Sequence, residues 1–196
     1  ARWMGSHNTT GVVRAVGAEA SLHCAELDRV QVFVGSSVAP GWFGWVIPLG
    51  DGRARVGIGN GNHNQASAKQ LLNNLVATFP VIFKGVKFDR IWAKTIPVYS
   101  PVKTYGDNVL LVGDAARQVK PLSGGGIYTG LVAARHCAQV AVKALRQGDL
   151  SEAFLSRYEA AWKSELGAEL ERGINLRGAF LCLKDEEIRE LMTILN

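Results

Sequence analysis

Residues 109–130, VLLVGDAARQVKPLSGGGIYTG, place a short apolar strand, a Gly-Asp pair and a glycine-rich loop directly before a long helical segment. The residues from 109 to 112 are all apolar, which is typical of a strand buried on both faces in a parallel sheet covered by helices. The helical pattern runs to about Arg146 and ends at Gln147-Gly148-Asp149. This order predicts part of an α/β domain with the loop at the carboxyl end of the strand.

The loop carries the residue types that a nucleotide cofactor needs. A carboxylate just past a strand end, here Asp114, can accept hydrogen bonds from sugar hydroxyls. Consecutive glycines let the backbone approach a flat or anionic ligand, and a helix start favours negative charge. Glycines also serve ordinary turns, but the ordered combination favours a flavin site. The candidate cofactor-binding residues are Gly113, Asp114, Pro121, Gly124, Gly125, Gly126 and Ile127.

The first hundred residues are mostly strand-like. Val30–Val34 alternates apolar and polar residues, and Gly50-Asp51-Gly52 separates an aromatic strand from an alternating one, which predicts an antiparallel hairpin. Between Ala66 and Phe79 the apolar residues recur at helical spacing, and strand character returns at Val86–Val98. We therefore predict an antiparallel sheet with an inserted helix.

An aromatic motif lies on the first strand of that hairpin. Phe43 and Trp45 alternate, so both side chains should lie on one face. With Pro48, and with Gly57 and Gly59 on the next strand, they could form one wall of an apolar groove. The alternative from the residues alone is that the aromatic rings are ordinary sheet core and the glycines only relieve crowding.

The remaining chain is helical, so the fold class is α+β. A stripe containing Ile127, Leu131, Val142 and Leu145 predicts that the long helix is packed centrally. A second helix should run from Ser151 to about Arg172, followed by one or two shorter helices. The predicted domains are a sheet-rich substrate-binding domain over 1–104, the C-terminal part of a cofactor domain over 105–147, and a helical region over 148–196.

Composition excludes several classes of protein. The chain has 196 residues, of which 47% are hydrophobic and 20% charged, which is unlike a disordered chain. Its net charge of +5 is scattered rather than gathered in a basic stripe, so we expect no nucleic-acid binding. Cys24, Cys137 and Cys182 form no C-x-x-C pair, and the four histidines lack metal-ligand spacing. We therefore expect reduced thiols, no metal site and a cytoplasmic location.

Residues 113–127, GDAARQVKPLSGGGI, resemble the second flavin-contacting motif of FAD-dependent oxidoreductases with the p-hydroxybenzoate hydroxylase fold. Within that fold the chain is most similar to the geranylgeranyl reductase family. That family carries an aromatic-x-Trp-x-Phe-Pro motif followed by Gly-x-Gly, which stands here as FGWVIP over 43–48 and GIG over 57–59. The departure is Ile47, where the family usually has Phe. The resemblance covers residues from about 28 to 145.

The resemblance implies an activity and a set of ligands. The parent protein would use FAD to reduce carbon–carbon double bonds of an isoprenoid chain on a lipid or pigment, with reduced nicotinamide or ferredoxin as electron donor. Phe43, Trp45 and Pro48 would line the isoprenoid pocket. The family's dinucleotide fingerprint, G-x-G-x-x-G near the N-terminus, is absent here, so residues 1–196 are expected to be a C-terminal portion that is inactive alone.

Three other functions stay open. Flavin monooxygenases and quinone-linked flavoprotein dehydrogenases share the Gly-Asp loop, and a prenyl-lipid-binding module could keep the groove without a cofactor. No catalytic residue is assigned, because Tyr99, Tyr128 and His63 are candidate proton donors by residue type only. A lipid substrate would favour peripheral membrane contact. The apolar residues of 176–195 could take part in that contact, although such a stripe more often packs on its own domain.

Overall fold

The computed structural model describes residues 11–22, 28–61 and 67–194. It divides into two compact units. The first, called the helical unit, consists of the described residues up to 12 together with 96–181; the second, called the sheet unit, consists of the described part of 13–95 together with the segment from Cys182. The three-part domain division made from the sequence stays a prediction.

The sheet unit contains the predicted sheet with its inserted helix, which confirms the α+β fold class. The spatial strand order is β2-β3-β4-β1-β5, and the pairs β1–β4, β2–β3 and β3–β4 are antiparallel. Helix α1 lies in sequence between β4 and β5. The bounds are β1 Val12–Ser21, β2 Gln31–Phe33, β3 Gly44–Gly50, β4 Arg53–Asn60, α1 Ala68–Thr78 and β5 Lys87–Pro97.

The predicted hairpin joins β3 to β4 through Asp51 and Gly52. Both residues have positive φ, 49° and 68°, as a two-residue type I′ turn requires. The turn sets a register that pairs Val46 with Val56 and Trp45 with Gly57. Since side chains alternate along each strand, this register divides the sheet into a face bearing Val46 and Val56 and an opposite face bearing Trp45.

The first of these faces is the core of the sheet unit. Val46, Val56 and Ile58 are fully buried and belong to one apolar cluster with Leu72 and Leu75 of α1. Ser67 begins α1 with a capping box, in which its hydroxyl accepts from the Gln70 amide N–H and the Gln70 side chain accepts from the Ser67 amide N–H. Helix α1 therefore covers one face of the sheet.

The C-terminal helix α4, Asp185–Ile194, also belongs to the sheet unit. The Asp185 carboxylate accepts hydrogen bonds from the amide N–H and the hydroxyl of both Ser36 and Ser37, at 2.6–3.2 Å. The hydroxyl of Ser37 and the two donors of Ser36 lower the pKa of Asp185 to about 2. These bonds fix the start of α4 on the loop after β2.

The helical unit contains a small ribbon and two long helices. Its elements are β6 Tyr105–Gly106, β7 Val109–Leu110, a 3₁₀ turn over Gly113–Ala116, α2 Ile127–Gln147 and α3 Glu152–Cys182. The core comes mainly from α3, whose buried residues recur every three to four positions: Tyr158, Trp162, Leu166 and Leu170. Helix α3 therefore runs ten residues beyond the predicted end at Arg172, because Gly173 and Gly178 do not interrupt it.

Two expectations about burial in this unit are not met within the described residues. Among the described residues, the segment 109–112 pairs only as the two-residue strand β7, antiparallel to β6, and Val109 is 37% exposed. Of the predicted stripe on α2, Ile127, Leu131, Val142 and Leu145 are exposed. The buried side of α2 is instead formed by the smaller residues Val132, Ala133, Val140 and Ala144, which share one core with α3.

Candidate functional site

The Gly-Asp pair forms a tight turn directly after β7. Gly113 has φ +65°, and a Cβ added to it would meet no atom within 4 Å, so the space beside this backbone is open. Asp114 is exposed, and its carboxylate accepts no hydrogen bond from any residue that the structure describes. Its oxygens are therefore available to hydroxyl donors of a ligand.

The side chain of Gln118 stabilises this turn by hydrogen bonds, a role that the sequence did not indicate. Its side chain is fully buried; Oε1 accepts from the Gly113 amide at 2.7 Å, and Nε2 donates to the Tyr158 hydroxyl at 3.0 Å. The Tyr158 hydroxyl in turn donates to the Leu111 carbonyl at 2.7 Å, and burial raises the pKa of Tyr158 to about 12. The network therefore links the turn to α3 through neutral groups.

The glycine-rich loop closes on itself before α2 begins. The Lys120 amide donates to the Gly125 carbonyl and the Gly124 amide to the Lys120 carbonyl, both at 2.9 Å. A Cβ added to Gly126 would lie 3.3 Å from Oδ1 of Asp114, so the carboxylate and the start of α2 lie side by side. The structure thus brings the predicted cofactor residues Asp114 and Gly126 together.

The first turn of α2 is open to solvent. Its N-cap, Gly126, provides no side-chain hydrogen bond to the helix, and Ile127 and Tyr128 are 84% and 57% exposed. Thr129 is buried and its hydroxyl donates to the Gln118 carbonyl, which ties the helix to the Gln118 network. Unpaired N–H groups at a helix start attract anions, so this end of α2 suits a negatively charged ligand group.

Helix α3 supports the loop at Pro121, a second contact that the sequence did not indicate. Pro121 is buried, and a Cβ on Gly173 would lie 2.9 Å from Cδ of Pro121. The Arg177 guanidinium lies 3.5 Å from the Pro121 carbonyl, and burial lowers the pKa of Arg177. Both contacts come from the part of α3 beyond its predicted end.

The predicted substrate wall lies in the sheet unit, on the face opposite α1. The Phe43 and Trp45 rings are half-buried and meet edge to face at 5.9 Å, and Phe43 also stacks on Trp42 at 5.0 Å. Pro48 is half-buried further along β3. The structure therefore brings the two predicted aromatic rings together.

Because the glycines of the motif have no side chain, tryptophan rings of the same chain pack directly against their backbone. A Cβ on Gly57 would overlap the Trp45 ring and lie 2.8 Å from the Val16 carbonyl, and a Cβ on Gly59 would overlap the Trp42 ring. A third such pair was not predicted: Gly17 of β1, the partner of Gly57, would place a Cβ 2.8 Å from the Trp92 ring. The contact of Gly57 and Gly59 with a substrate stays a prediction.

The candidate proton donors differ in accessibility. Tyr99 is buried, and burial raises its pKa, whereas Tyr128 is exposed with Nζ of Lys120 5.7 Å from its ring centre. His63 lies outside the described residues. Within the described ranges, no cluster of His, Cys, Asp or Glu could hold a metal ion. None of the helices described is long and apolar enough to cross a membrane.

Several relatives of the chain are named digeranylgeranylglycerophospholipid reductases. Digeranylgeranylglycerophospholipid reductase 2 of Methanopyrus kandleri is 35% identical over 204 residues, which cover 96% of this chain and 51% of that protein. Digeranylgeranylglycerophospholipid reductase 1 of the same organism is 41% identical, over 80% of this chain and 40% of that protein. The chain thus spans about half the length of the curated relatives it matches.

A solved structure carries the same fold. The crystal structure of a geranylgeranyl bacteriochlorophyll reductase-like protein from Thermoplasma acidophilum matches 97% of this chain and 49% of that one, with a TM-score of 0.87 and 26% sequence identity. These comparisons support the geranylgeranyl reductase family of FAD-dependent oxidoreductases that the sequence resembles. No family model matches the chain. The similarity to these proteins confirms the resemblance carried by the Gly-Asp loop and the aromatic motif.

Proposed function

We propose that this chain is the C-terminal portion of an FAD-dependent reductase that saturates carbon–carbon double bonds of an isoprenoid chain on a lipid. One observation carries the proposal: the exposed Asp114 carboxylate lies beside the uncapped start of α2, in a chain 35% identical to a reductase of isoprenoid phospholipids. The relatives' substrate supports the isoprenoid, and the loop chemistry supports the cofactor.

The residues present fit FAD. The open space beside Gly113 admits a ligand against the backbone, and the Asp114 oxygens can accept hydrogen bonds from the sugar hydroxyls of the cofactor. Gly124, Gly125 and Gly126 present backbone without side chains. The start of α2, with Ile127 exposed, favours negative charge on the ring or the phosphates. Bound FAD in its reduced form supplies a hydride equivalent for one alkene carbon.

The chain contributes orientation and exclusion of water to this reaction. The Gln118 network and the Pro121–Gly173 contact hold the loop in one geometry, so little ordering remains when the cofactor binds. Phe43 and Trp45 give the sheet unit an apolar aromatic surface suited to an isoprenoid chain. No residue is assigned as proton donor.

The partners and location follow from this chemistry. The electron donor is reduced nicotinamide or ferredoxin, since both deliver electrons to flavins. The enzyme is cytoplasmic and works at the membrane surface, because an isoprenoid lipid resides in the bilayer.

Purification of the full-length protein tests the cofactor. The wild type should carry visible flavin absorbance, and Asp114→Asn should weaken FAD binding by about tenfold or more, since a hydrogen bond to a charged group is lost. Asp89→Asn is the control, because Asp89 is an exposed carboxylate of the sheet unit. Full-length protein that never takes up FAD would contradict the proposal.

Reduction of a geranylgeranyl lipid tests the activity. Mass spectrometry should detect the gain of two hydrogens for each double bond after incubation with the reduced holoenzyme. Rapid reaction of the reduced enzyme with oxygen and hydroxylation of an added aromatic compound would instead identify a monooxygenase.

A further inference from the structure

The sheet face that carries the aromatic wall extends beyond β4 to β1 and β5. Trp45 pairs with Gly57, and Gly57 pairs with Gly17, so these three positions form one row across β3, β4 and β1. Directly opposed residues of neighbouring strands point to the same face of a sheet. Strand β5 follows β1 in the strand order, and the Trp92 ring lies against Gly17 on this face. The row therefore ends at Trp92.

The two tryptophan rings of this row cover neighbouring glycines. A Cβ on Gly57 would overlap the Trp45 ring, and a Cβ on Gly17 would lie 2.8 Å from the Trp92 ring. Because Gly57 and Gly17 are register partners, the rings cover adjacent positions of the sheet. Both tryptophans are half-buried, so part of each side chain remains accessible. Together with Phe43, they form one broad apolar surface on this face.

Charged residues limit this apolar surface on one side. Arg55 of β4 and Glu19 of β1 lie two residues from the row on the same face, and their side chains form an ion pair at 3.5 Å. Arg53 also lies 3.3 Å from Glu19. Covering such groups with hydrocarbon is unfavourable, because charged groups lose their hydration. An apolar chain on this face therefore runs across the strands from Trp45 toward Trp92, and not along the strands toward Arg55.

The width of this surface suits a long hydrocarbon chain. Neighbouring strands lie about 4.8 Å apart, so the three spacings between β3 and β5 amount to about 14 Å. An extended geranylgeranyl chain of four isoprene units exceeds this width, whereas a geranyl chain of two units does not reach across it. A short chain should lie on Trp42, Phe43 and Trp45, because these three rings offer more apolar surface than Trp92 alone.

We propose that Trp92 contacts the part of a long isoprenoid chain that lies beyond Phe43 and Trp45, and that it thereby makes the enzyme favour long chains over short ones. This role rests on the proposed function, which supplies the isoprenoid substrate. The Trp92 ring loses water-exposed apolar surface only when the bound chain is long enough to cover it. Trp92 is thus a specificity-determining residue and takes no part in hydride or proton transfer.

Kinetics of the full-length holoenzyme with two lipids test this role. One lipid carries geranylgeranyl chains, and the other carries geranyl chains on the same headgroup. Trp92→Ala should raise the KM for the long lipid by about tenfold or more, with little change in kcat, and should leave the KM for the short lipid within about twofold. Trp92→Phe keeps an aromatic ring and should restore most of the affinity for the long lipid. An unchanged KM for the long lipid in Trp92→Ala would overturn the proposal.

The neighbouring residue on β5 provides the matched control. Ile91 is 48% exposed, and the alternation of side chains places it on the other face of the sheet, so Ile91→Ala should leave both KM values unchanged. An equal rise in KM for both lipids in Trp92→Ala, or the same rise in Ile91→Ala, would assign Trp92 to the stability of the strand and overturn the proposal.

The same experiment separates the two levels of failure. A wild-type holoenzyme that reduces neither lipid would refute the proposed function and the role of Trp92 with it. A wild type that reduces the long lipid, with a KM that does not respond to Trp92→Ala, would refute only the role of Trp92.

Discussion

At the scale of single residues, Gln118 determines the shape of the candidate cofactor loop. A polar residue in a loop sequence is expected to be exposed. The side chain of Gln118 is nevertheless fully buried and forms hydrogen bonds with the Gly113 amide and with Tyr158. Asp114 presents its carboxylate to solvent because Gln118 supplies the internal bonds of the turn. The residue that points outward was recognisable from the sequence, and its buried support was not.

Replacement of this support should be costly. Gln118→Leu keeps a similar size but leaves the Gly113 amide and the Tyr158 hydroxyl without this partner, so we expect a loss of about 2–4 kcal/mol in the free energy of unfolding. Urea denaturation measures it. Gln139→Leu on the exposed side of α2 is the control and should change stability by less than about 0.5 kcal/mol. A similar effect of both variants would contradict the role of the network.

Asp185 gives a pH-dependent prediction. Its pKa of about 2 lies below the usual value of 3.8 for an aspartate, so the carboxylate stabilises the fold above pH 4 and that contribution is lost as the pH falls toward 2. Asp185→Asn should therefore lower the Tm at pH 7, and the difference from wild type should shrink on acidification. Glu186→Gln, at an exposed neighbour without such bonds, should show no such convergence.

At the scale of elements, the length of α3 connects the helical core to the cofactor loop. The residues 158–170 of α3 form the core, and the part beyond 172 reaches Pro121. The amphipathic pattern weakens beyond 172, where Leu176 is 57% exposed, so the sequence predicted too early an end. The spacing of apolar residues identifies a helix by its buried stripe. It does not detect the part of a helix that continues without such a stripe.

Two glycines of α3 offer a matched test of this contact. Gly173→Ala should displace Pro121, since the new Cβ would lie 2.9 Å from its Cδ, and should weaken FAD binding by the full-length protein several-fold. Gly178→Ala meets nothing within 4 Å and should stabilise the helix by up to about 1 kcal/mol without changing FAD affinity. Equal FAD affinities of the two variants would show that α3 does not support the loop.

At the scale of the whole molecule, the chain holds two units, each with its own core and its own part of the proposed function. The helical unit contains the candidate cofactor loop, and the sheet unit contains the aromatic wall. Exposed apolar residues on α2, with Leu131 and Leu145 both 68% exposed, show that a large part of this helix is uncovered within the described residues.

The isolated 196-residue chain should retain little FAD after purification. The proposed site contacts the sugar, the ring edge and one phosphate region, and the dinucleotide fingerprint that the family uses for the other half of FAD is absent from this sequence. Flavin released by heat and measured by absorbance should be far below one per chain. Stoichiometric yellow flavin on this chain would contradict the prediction.

The sequence alone determined the elements whose signals are local. The Asp51-Gly52 turn, the capping box at Ser67 and the Gly148 stop of α2 depend on the conformations of a few neighbouring residues, and all three lie where turn and cap chemistry predicts. The Gly-Asp loop was recognisable for the same reason. The identities of a few consecutive residues are enough to predict a turn or a helix cap.

Tertiary structure decided which faces are buried and which side chains support the loop. The side of α2 that packs depends on α3, the glycines of β4 and β1 depend on the tryptophans that lie over them, and Gln118 depends on Tyr158, which is 40 residues away. These contacts join residues far apart in the chain. Close packing and the hydrogen bonding of buried polar groups determine which residues form these contacts. A local sequence pattern predicts neither the packing nor the bonding partner.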